Sequence, residues 1–123
     1  MGPVADQAAA RWFTPAFRRS DPAEVAAIVD AMRRVHPEGY AGCCDAIGGM
    51  DQRASLASVS APALVIAGAE DPATPPWHAA VIADGIGGSR LTVIRGASHL
   101  ANVSQPGQVT AALLSHLLAA GPG

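Results

Sequence analysis

Two short β-type segments, separated by a single helical pattern, constrain the fold of this chain most. ALVIAG at 63–68 is an unbroken apolar run, suited to a strand buried on both faces, and RLTVIRG follows at 90–96. Between them a helical pattern runs from Pro76 to Ile86 and stops at a pair of glycines. Parallel strands need such a crossover, so this order predicts a βαβ unit of an α/β sheet.

The first half of the chain contains helical patterns only. Asp21, Pro22 and Glu24 predict a helix start with a capping box, because an acid, a proline and a glutamate occupy the expected positions. A weaker helical pattern, PEGYAGCCDAIGGM, occupies 37–50. We therefore expect a helical first part, residues 1–50, and a βαβα second part, residues 51–123.

Two further helices are expected in the second part. A short one is predicted from Asp51 to Val59, before the first strand. The closing segment SQPGQVTAALLSHLLAA at 104–120 predicts an amphipathic helix with Pro106 in its first turn. Two strands alone make a small sheet, so both are expected to expose unpaired edges and apolar faces.

Composition excludes several classes of function. The 8 basic and 10 acidic residues are scattered and give a net charge of −2, so no nucleic-acid partner and no anionic membrane partner is expected. The N-terminus lacks the charged and apolar regions of a signal peptide. Cys43 and Cys44 are neighbours and cannot join distant segments, which favours free thiols, packed in the core, in a reducing cytoplasm.

An acid and a histidine follow the two predicted strands. Asp71 comes after the first strand and His99 after the second, 28 positions further along the chain. Because parallel strands end at the same edge of a sheet, both side chains should lie at one rim, where open α/β folds bind ligands. An acid that accepts from one imidazole nitrogen orients the ring for general-base chemistry. On spacing alone, a turn-forming Asp-Pro and an ordinary loop histidine are the simpler interpretation, and a catalytic pair is the alternative.

The remaining polar candidates have simpler interpretations. His78 could bind a carboxylate near the rim, but it is expected on the surface of the helix after Pro76 with no required role. Arg95 could attract an anionic substrate, but it is expected at a solvated strand end. Neither adjacent cysteines nor any other pattern has the spacing of a metal site, so no metal and no cofactor are expected. The loop AGAEDP is short and lacks the lysine of a phosphate-binding loop.

Four stretches of the sequence carry a family resemblance. They are RWFTPAF at 11–17, PEGYAGCCDAI at 37–47, AGAEDPATPPWH at 67–78 and GASHLANVSQP at 96–106. Together they resemble the C-terminal portion of α/β-hydrolases, and within that superfamily the 3-oxoadipate enol-lactonases of the β-ketoadipate pathway. The resemblance implies partial cap helices followed by two parallel strands with flanking helices.

The resemblance also implies roles for particular residues. Asp71 and His99 correspond to the acid and the base of the catalytic triad, and Glu70, the neighbouring acid, does not. Trp12 and Phe13 fall where they could line a cap-side substrate pocket, or simply pack within the cap. The substrate implied is a small lactone or ester, whose hydrolysis in the enol-lactonases gives 3-oxoadipate in aromatic catabolism.

The sequence departs from the family at the nucleophile. In α/β-hydrolases the serine sits in a G-x-S-x-G elbow, and no serine here does. Ser55, Ser58 and Ser60 lie in a polar segment before the first strand, and Ser98 adjoins His99. We therefore expect a C-terminal fragment that is inactive alone, with the missing N-terminal half as its partner.

Alternative functions stay open at this point. The chain could come from another α/β-hydrolase, such as an esterase, a haloperoxidase-like enzyme or an acyltransferase. It could also be a non-catalytic truncated product, or a module that pairs its strand edge with a partner. An internal start, a split gene and an expression boundary would each account for the N-terminus.

Overall fold

The structure is a computed structural model that describes residues 1–119. Four helices come first: α1 (Gly2–Trp12), α2 (Pro15–Ser20), α3 (Pro22–Arg33) and α4 (Pro37–Gly48). They are followed by a 3-10 helix (Arg53–Ser58), β1 (Leu64–Gly68), α5 (Pro76–Gly85), β2 (Arg90–Ile94), α6 (Ala101–Ser104) and α7 (Pro106–Ala119). This order confirms the α/β class, with helices first and a strand–helix–strand unit after them.

The two strands are adjacent and parallel, as the sequence predicts. Leu64 lies opposite Arg90 and Gly68 lies opposite Ile94, so the two strands end level with each other. Helix α5 makes the crossover and packs on both strands. The loops that follow β1 and β2 therefore leave the sheet at the same edge.

Burial of the strands confirms the exposed apolar faces expected of so small a sheet, but it does not show the full burial that the apolar run of β1 suits. Only the last two residues of β1, Ala67 and Gly68, are buried, while Leu64, Val65 and Ile66 are half-buried. Strand β2 exposes Leu91 (39%) and Val93 (41%). Among the described residues the sheet has two strands, so each has one unpaired edge, and an apolar run suited to full burial is covered only in part.

Two separate apolar clusters form the core. In the helical part, Ala5 of α1 packs against Val29 and Met32 of α3, with Trp12 and Tyr40 at its margin. Around the sheet, a cluster at the end of β2 continues into the helices that follow: Ile94, Ala97, Ala101 and Val109, with Ile66 against it. Each of the two expected parts thus contributes its own cluster, and the boundary at residue 50 stays a prediction.

The predicted capping box does not form. Asp21 is the N-cap of α3, but its side chain accepts no hydrogen bond from the helix. Instead Asp21 Oδ2 accepts from the Ser20 hydroxyl at 2.6 Å. Pro22 still occupies the first position of the helix, so the start was predicted correctly while its cap was not.

Of two other local predictions, one is corrected and one is confirmed. The short helix expected from Asp51 to Val59 is a 3-10 helix over Arg53–Ser58, and the Asp51 carboxylate just before it accepts from the Arg53 backbone N–H and guanidinium. The closing helix is confirmed: α7 runs from Pro106 to Ala119 with Pro106 in its first turn, and the short helix α6 precedes it. Ala120, the last residue of that predicted helix, lies outside the described residues.

The expected burial of the two thiols is wrong. Cys43 and Cys44 are both free and exposed on α4. Tyr40 is the residue through which α4 reaches the helical cluster, and it is itself only half-buried. The other residues of α4 are exposed, so its apolar residues are left uncovered among residues 1–119.

Candidate active site

The loops that follow β1 and β2 are pressed together at the strand ends. A side chain on Gly68 would meet the backbone of the second loop, since its Cβ would lie 2.1 Å from the Ser98 carbonyl oxygen. Gly96 takes a positive φ of 69°, which turns the second loop back toward the first. The Glu70 N–H donates to the Ala97 carbonyl at 2.9 Å and joins the two loops. Two glycines and one backbone hydrogen bond thus bring the loops into contact.

Asp71 and His99 meet at this edge. Asp71 Oδ2 lies 2.8 Å from His99 Nδ1, which confirms the prediction that the two side chains come within hydrogen-bond reach. The Asp71 side chain is only 4% exposed, whereas that of His99 is 38% exposed. Glu70, the adjacent acid, is exposed and contributes only its backbone. The histidine therefore pairs with the buried acid and keeps part of its ring open to solvent.

Four donors converge on the Asp71 carboxylate. Its Oδ1 accepts from the backbone N–H groups of Ala73 (2.8 Å) and Thr74 (3.0 Å). Its Oδ2 accepts from the Thr74 hydroxyl at 2.7 Å and faces His99 at 2.8 Å. Burial acts to raise the pKa of Asp71, but the hydrogen bonds from Thr74, His99 and Ala73 outweigh it and hold that pKa below its ordinary value.

This arrangement selects one tautomer of His99. An ionised carboxylate has no proton to donate, so the 2.8 Å contact requires the proton to be on Nδ1. In the neutral ring, Nε2 is then the basic nitrogen and can accept a proton. The pair is equipped to act as a general base supported by an acid.

A cavity of about 340 Å³ opens beside the pair. Its wall combines apolar residues of β1 and α5 with four polar side chains: Asp71, Thr74, His78 and His99. His78, which we expected to be an ordinary surface residue, is half-buried on this wall. The cavity places a small apolar space in contact with the proposed base.

Sequence reasoning missed Thr74. Its hydroxyl is bonded to Asp71 and also lies 3.2 Å from His99 Nδ1. An available signal was the D-x-x-T spacing from Asp71, because Asp side chains in turns accept from the backbone two and three residues later. That spacing places a threonine hydroxyl next to the same carboxylate.

Trp12 and Phe13 lie next to the segment that follows β2. Phe13 is 1% exposed and stacks on Phe17 at a ring separation of 5.4 Å. Trp12 is half-buried at the helical cluster, and its carbonyl accepts from the Leu100 N–H at 3.1 Å. Neither residue lines the cavity beside His99. Their role in substrate binding stays a prediction.

The serines near the site have other partners. Ser98 is 2% exposed, and its hydroxyl donates to the carbonyls of Arg11 and Glu70. Ser55 and Ser58 donate to carbonyls at or within the 3-10 helix. Across residues 1–119 the hydrogen-bond partners of His99 are Asp71 and Thr74. Ser98 thus ties the helical part to both strand-end loops.

Residues 1–119 contain neither a cluster of metal ligands nor a membrane-spanning helix. No group of three histidine, cysteine or acidic side chains in residues 1–119 is arranged to hold a metal ion. No helix within that range combines the length and the apolar character needed to cross a bilayer. Arg95 is exposed at the end of β2, as expected, and its carbonyl accepts from Gln108.

Known proteins show the same combination of sequence and fold. 3-oxoadipate enol-lactonase 2 of Acinetobacter baylyi is 42% identical over 106 residues, which are 86% of this chain and 39% of that relative. The enol-lactonase of Burkholderia xenovorans LB400 superposes with a TM-score of 0.92 at 33% identity, over 96% of this chain and 45% of that one. A thermophilic esterase from Thermogutta terrifontis superposes at 0.90 with 28% identity, over 98% and 45%.

This chain therefore spans less than half the length of each of these relatives. The resemblance to 3-oxoadipate enol-lactonases that the four motifs indicate is confirmed at the level of sequence and structure. The model of the alpha/beta hydrolase family matches residues 1–113, nearly the whole chain. On that match, and on the parallel strands with an acid and a histidine at their ends, the chain belongs to the alpha/beta hydrolase family.

Proposed function

We propose that this chain supplies the acid, Asp71, and the base, His99, of a serine-hydrolase triad. The substrate we propose is an enol-lactone, opened to 3-oxoadipate in the catabolism of aromatic compounds. The observation that carries the proposal is the 2.8 Å contact between Asp71 Oδ2 and His99 Nδ1 at the edge of the sheet. The likeness to two enol-lactonases supports the substrate class. Two free, exposed thiols support a cytoplasmic setting.

In the proposed reaction His99 transfers protons in both half-reactions. Its Nε2 takes the proton of a serine hydroxyl as the serine oxygen attacks the lactone carbonyl. The ring C–O bond then breaks, the released enol oxygen takes the proton from His99, and the enol becomes the ketone of 3-oxoadipate. Water, deprotonated by His99, attacks the acyl-enzyme and frees the serine and the carboxylate. Asp71 stabilises the imidazolium in each step.

The nucleophile and the oxyanion-hole donors must come from elsewhere. The 123-residue sequence contains no G-x-S-x-G motif. The hydroxyl of Ser98, beside His99, already donates to backbone carbonyls. We propose that a segment equivalent to the rest of the relatives' chains supplies both. The proposed partner of this chain is therefore the N-terminal half of such a hydrolase.

The cavity beside His99 suits a small substrate with apolar carbon atoms. Residues of strand β1 and helix α5 form its apolar wall, and His78 of α5 adds a polar side chain to that wall. Trp12 and Phe13 remain proposed substrate-side residues. Trp12 is the better candidate of the two, because Phe13 is buried against Phe17.

A second candidate is a general carboxylic-ester hydrolase. It is favoured by the superposition on the Thermogutta terrifontis esterase, whose TM-score of 0.90 nearly equals that of the enol-lactonase. An acid–histidine pair serves either substrate, since both reactions pass through an acyl-enzyme. Turnover of the enol-lactone compared with simple nitrophenyl esters separates the two candidates.

The test is complementation. The 123-residue chain is purified alone and together with the segment of the Acinetobacter baylyi enzyme that lies outside the matched region. We expect no turnover of enol-lactone by the chain alone, because removing the serine from a serine hydrolase lowers kcat by about a million-fold. With the added segment, turnover should appear and should be blocked by a serine-directed reagent.

Matched histidine variants give the control. His99→Gln should abolish turnover by the reconstituted enzyme, whereas His36→Gln, at an exposed position before α4, should leave it unchanged. Serine-reagent-sensitive turnover at enzyme-like rates by the chain alone would show that a serine within it is the nucleophile. Unchanged turnover in His99→Gln would refute the role of the pair.

A further inference from the structure

The Thr74 hydroxyl touches both members of the Asp71–His99 pair. It donates to Asp71 Oδ2 at 2.7 Å, and the same oxygen atom of Thr74 lies 3.2 Å from His99 Nδ1. Asp71 Oδ2 and His99 Nδ1 are themselves 2.8 Å apart. These three polar atoms therefore lie within hydrogen-bond distance of one another. The Thr74 oxygen is the one that belongs to neither Asp71 nor His99.

The two oxygens of Asp71 are held in different ways. Oδ1 is held by two backbone N–H groups of its own turn, those of Ala73 and Thr74. Oδ2, which faces the imidazole, has the Thr74 hydroxyl as its other partner. The His99 side chain is 38% exposed and lies on a loop, so the Thr74 hydroxyl adds a second contact that fixes Oδ2.

We propose that Thr74 is a positioning residue of the pair: its hydroxyl holds Asp71 Oδ2 toward His99 Nδ1 and thereby keeps the imidazole proton on Nδ1. The catalytic meaning of this inference rests on the proposed function, since only a general base needs Nε2 unprotonated. The geometric part does not depend on that function. It can be measured on the 123-residue chain without any turnover.

The first measurement is the tautomer of neutral His99, read from the nitrogen chemical shifts of histidine-labelled protein. The His99 signals are identified with His99→Gln. Thr74→Val removes the hydroxyl, keeps the shape of the side chain and keeps the backbone N–H that donates to Oδ1. We expect it to lower the ratio of Nδ1-protonated to Nε2-protonated ring about fivefold, the factor for one ordinary hydrogen bond.

Two matched variants serve as controls. Thr74→Ser keeps a hydroxyl at the same position and should keep the ratio within about twofold of the wild type, less than one hydrogen bond's effect. Thr110→Val makes the same chemical change at an exposed position of α7 and should not alter the ratio. Should Thr74→Val not fold, Thr74→Ala removes the hydroxyl without adding bulk and provides the same measurement.

The second measurement uses the reconstituted enzyme. Thr74→Val should lower kcat about tenfold with little change in KM, because the hydroxyl acts on the base and not on the substrate. Thr74→Ser should restore most of kcat. An inactive wild-type reconstitution would count against the proposed function, while the tautomer ratio would still decide the role of Thr74.

Three results would overturn the inference. One is a wild-type chain in which neutral His99 carries its proton mainly on Nε2. Another is an unchanged tautomer ratio in folded Thr74→Val. The third is loss of folding in both Thr74→Val and Thr74→Ala, which would give the hydroxyl a structural role in the turn.

Discussion

Replacing Gly68 with alanine should separate the two strand-end loops. A Cβ at this position would lie 2.1 Å from the Ser98 carbonyl oxygen, 2.7 Å from its carbonyl carbon and 2.8 Å from the Ala97 carbonyl oxygen, whereas ordinary contact begins at 3.4 Å. All three are backbone atoms, so no side chain can rotate away. The second loop must therefore retreat from the first, and it carries His99 with it.

The size of the effect follows from what holds that loop. Forcing one methyl group into a packed site costs about 1–3 kcal/mol, and more where the neighbours are backbone. In a domain near 100 residues, each kcal/mol corresponds to a fall of about 4–8 °C in the unfolding midpoint. We expect Gly68→Ala to lower the midpoint by at least about 8 °C, the value for roughly 2 kcal/mol. The Glu70–Ala97 backbone hydrogen bond should be lost first.

The assay is thermal unfolding followed by circular dichroism, with the His99 nitrogen shifts measured on the same samples. Gly87→Ala is the matched control, because a Cβ at that glycine meets nothing within 4 Å. The control should change stability by no more than about 0.5 kcal/mol, as ordinary surface substitutions do. A Gly68→Ala protein with an unchanged midpoint and unchanged His99 signals would refute the claim that loop contact positions the pair.

Three further predictions concern the pair and the sheet. Asp71→Asn should lower kcat of the reconstituted enzyme by about 10⁴-fold, because an amide in this place favours the wrong His99 tautomer; retained activity would contradict the proposed role. Asp71 has a folded pKa below its ordinary value of about 3.9, so it stabilises the fold above that pH and this contribution disappears as pH falls through the folded pKa. Urea titrations between about pH 5 and pH 2 should therefore show a steeper loss of stability for the wild type than for Asp71→Asn, and parallel curves would contradict this. Because Leu91 and Val93 are exposed, the purified chain should self-associate and bind an apolar dye, and a monomer that binds no dye would count against it.

The sequence alone was enough to predict the strand–helix–strand unit and the proximity of Asp71 and His99, which follow its two strands. Both depend on local patterns: an apolar run, a crossover helix of adequate length, and a second run. Once the strands are parallel, Asp71 and His99 must leave the sheet at the same edge, whatever the rest of the fold does. The choice of Asp71 over Glu70 came from the family resemblance, and the geometry agrees with it.

The burial of individual residues could not be predicted in the same way. The apolar pattern of α4 indicated a core helix with packed thiols, yet Cys43 and Cys44 are exposed. A helical pattern states which face is apolar but not which surface covers it. The full burial expected of β1 failed for the same physical reason, because a strand is covered by its neighbours in space and not by its own sequence.

Thr74 and His78 were missed for a different reason. Both lie in the stretch AGAEDPATPPWH, but neither corresponds to a member of the triad, and both reach the site through the loop and helix that follow Asp71. A threonine three positions after an aspartate is common in turns, so the spacing alone does not reveal that a histidine from another strand lies against it. Only the three-dimensional arrangement brings the hydroxyl within reach of both side chains.

The contacts that position the acid and the base are confined to a short part of the chain. Asp71 is held by its own turn and by His99, and the His99 loop is held by Gly68, the Glu70 backbone and Ser98. Apart from the hydrogen bonds to the carbonyls of Arg11 and Trp12, and those that Gln105 and Gln108 donate to the carbonyls of Gly96 and Arg95, these contacts lie between β1 and the loop that follows β2. The pair can therefore be assembled before any nucleophile is present. Under the proposed function, a complementing segment supplies a serine hydroxyl at Nε2 of His99, and the half-buried β1 offers that segment an unpaired strand edge.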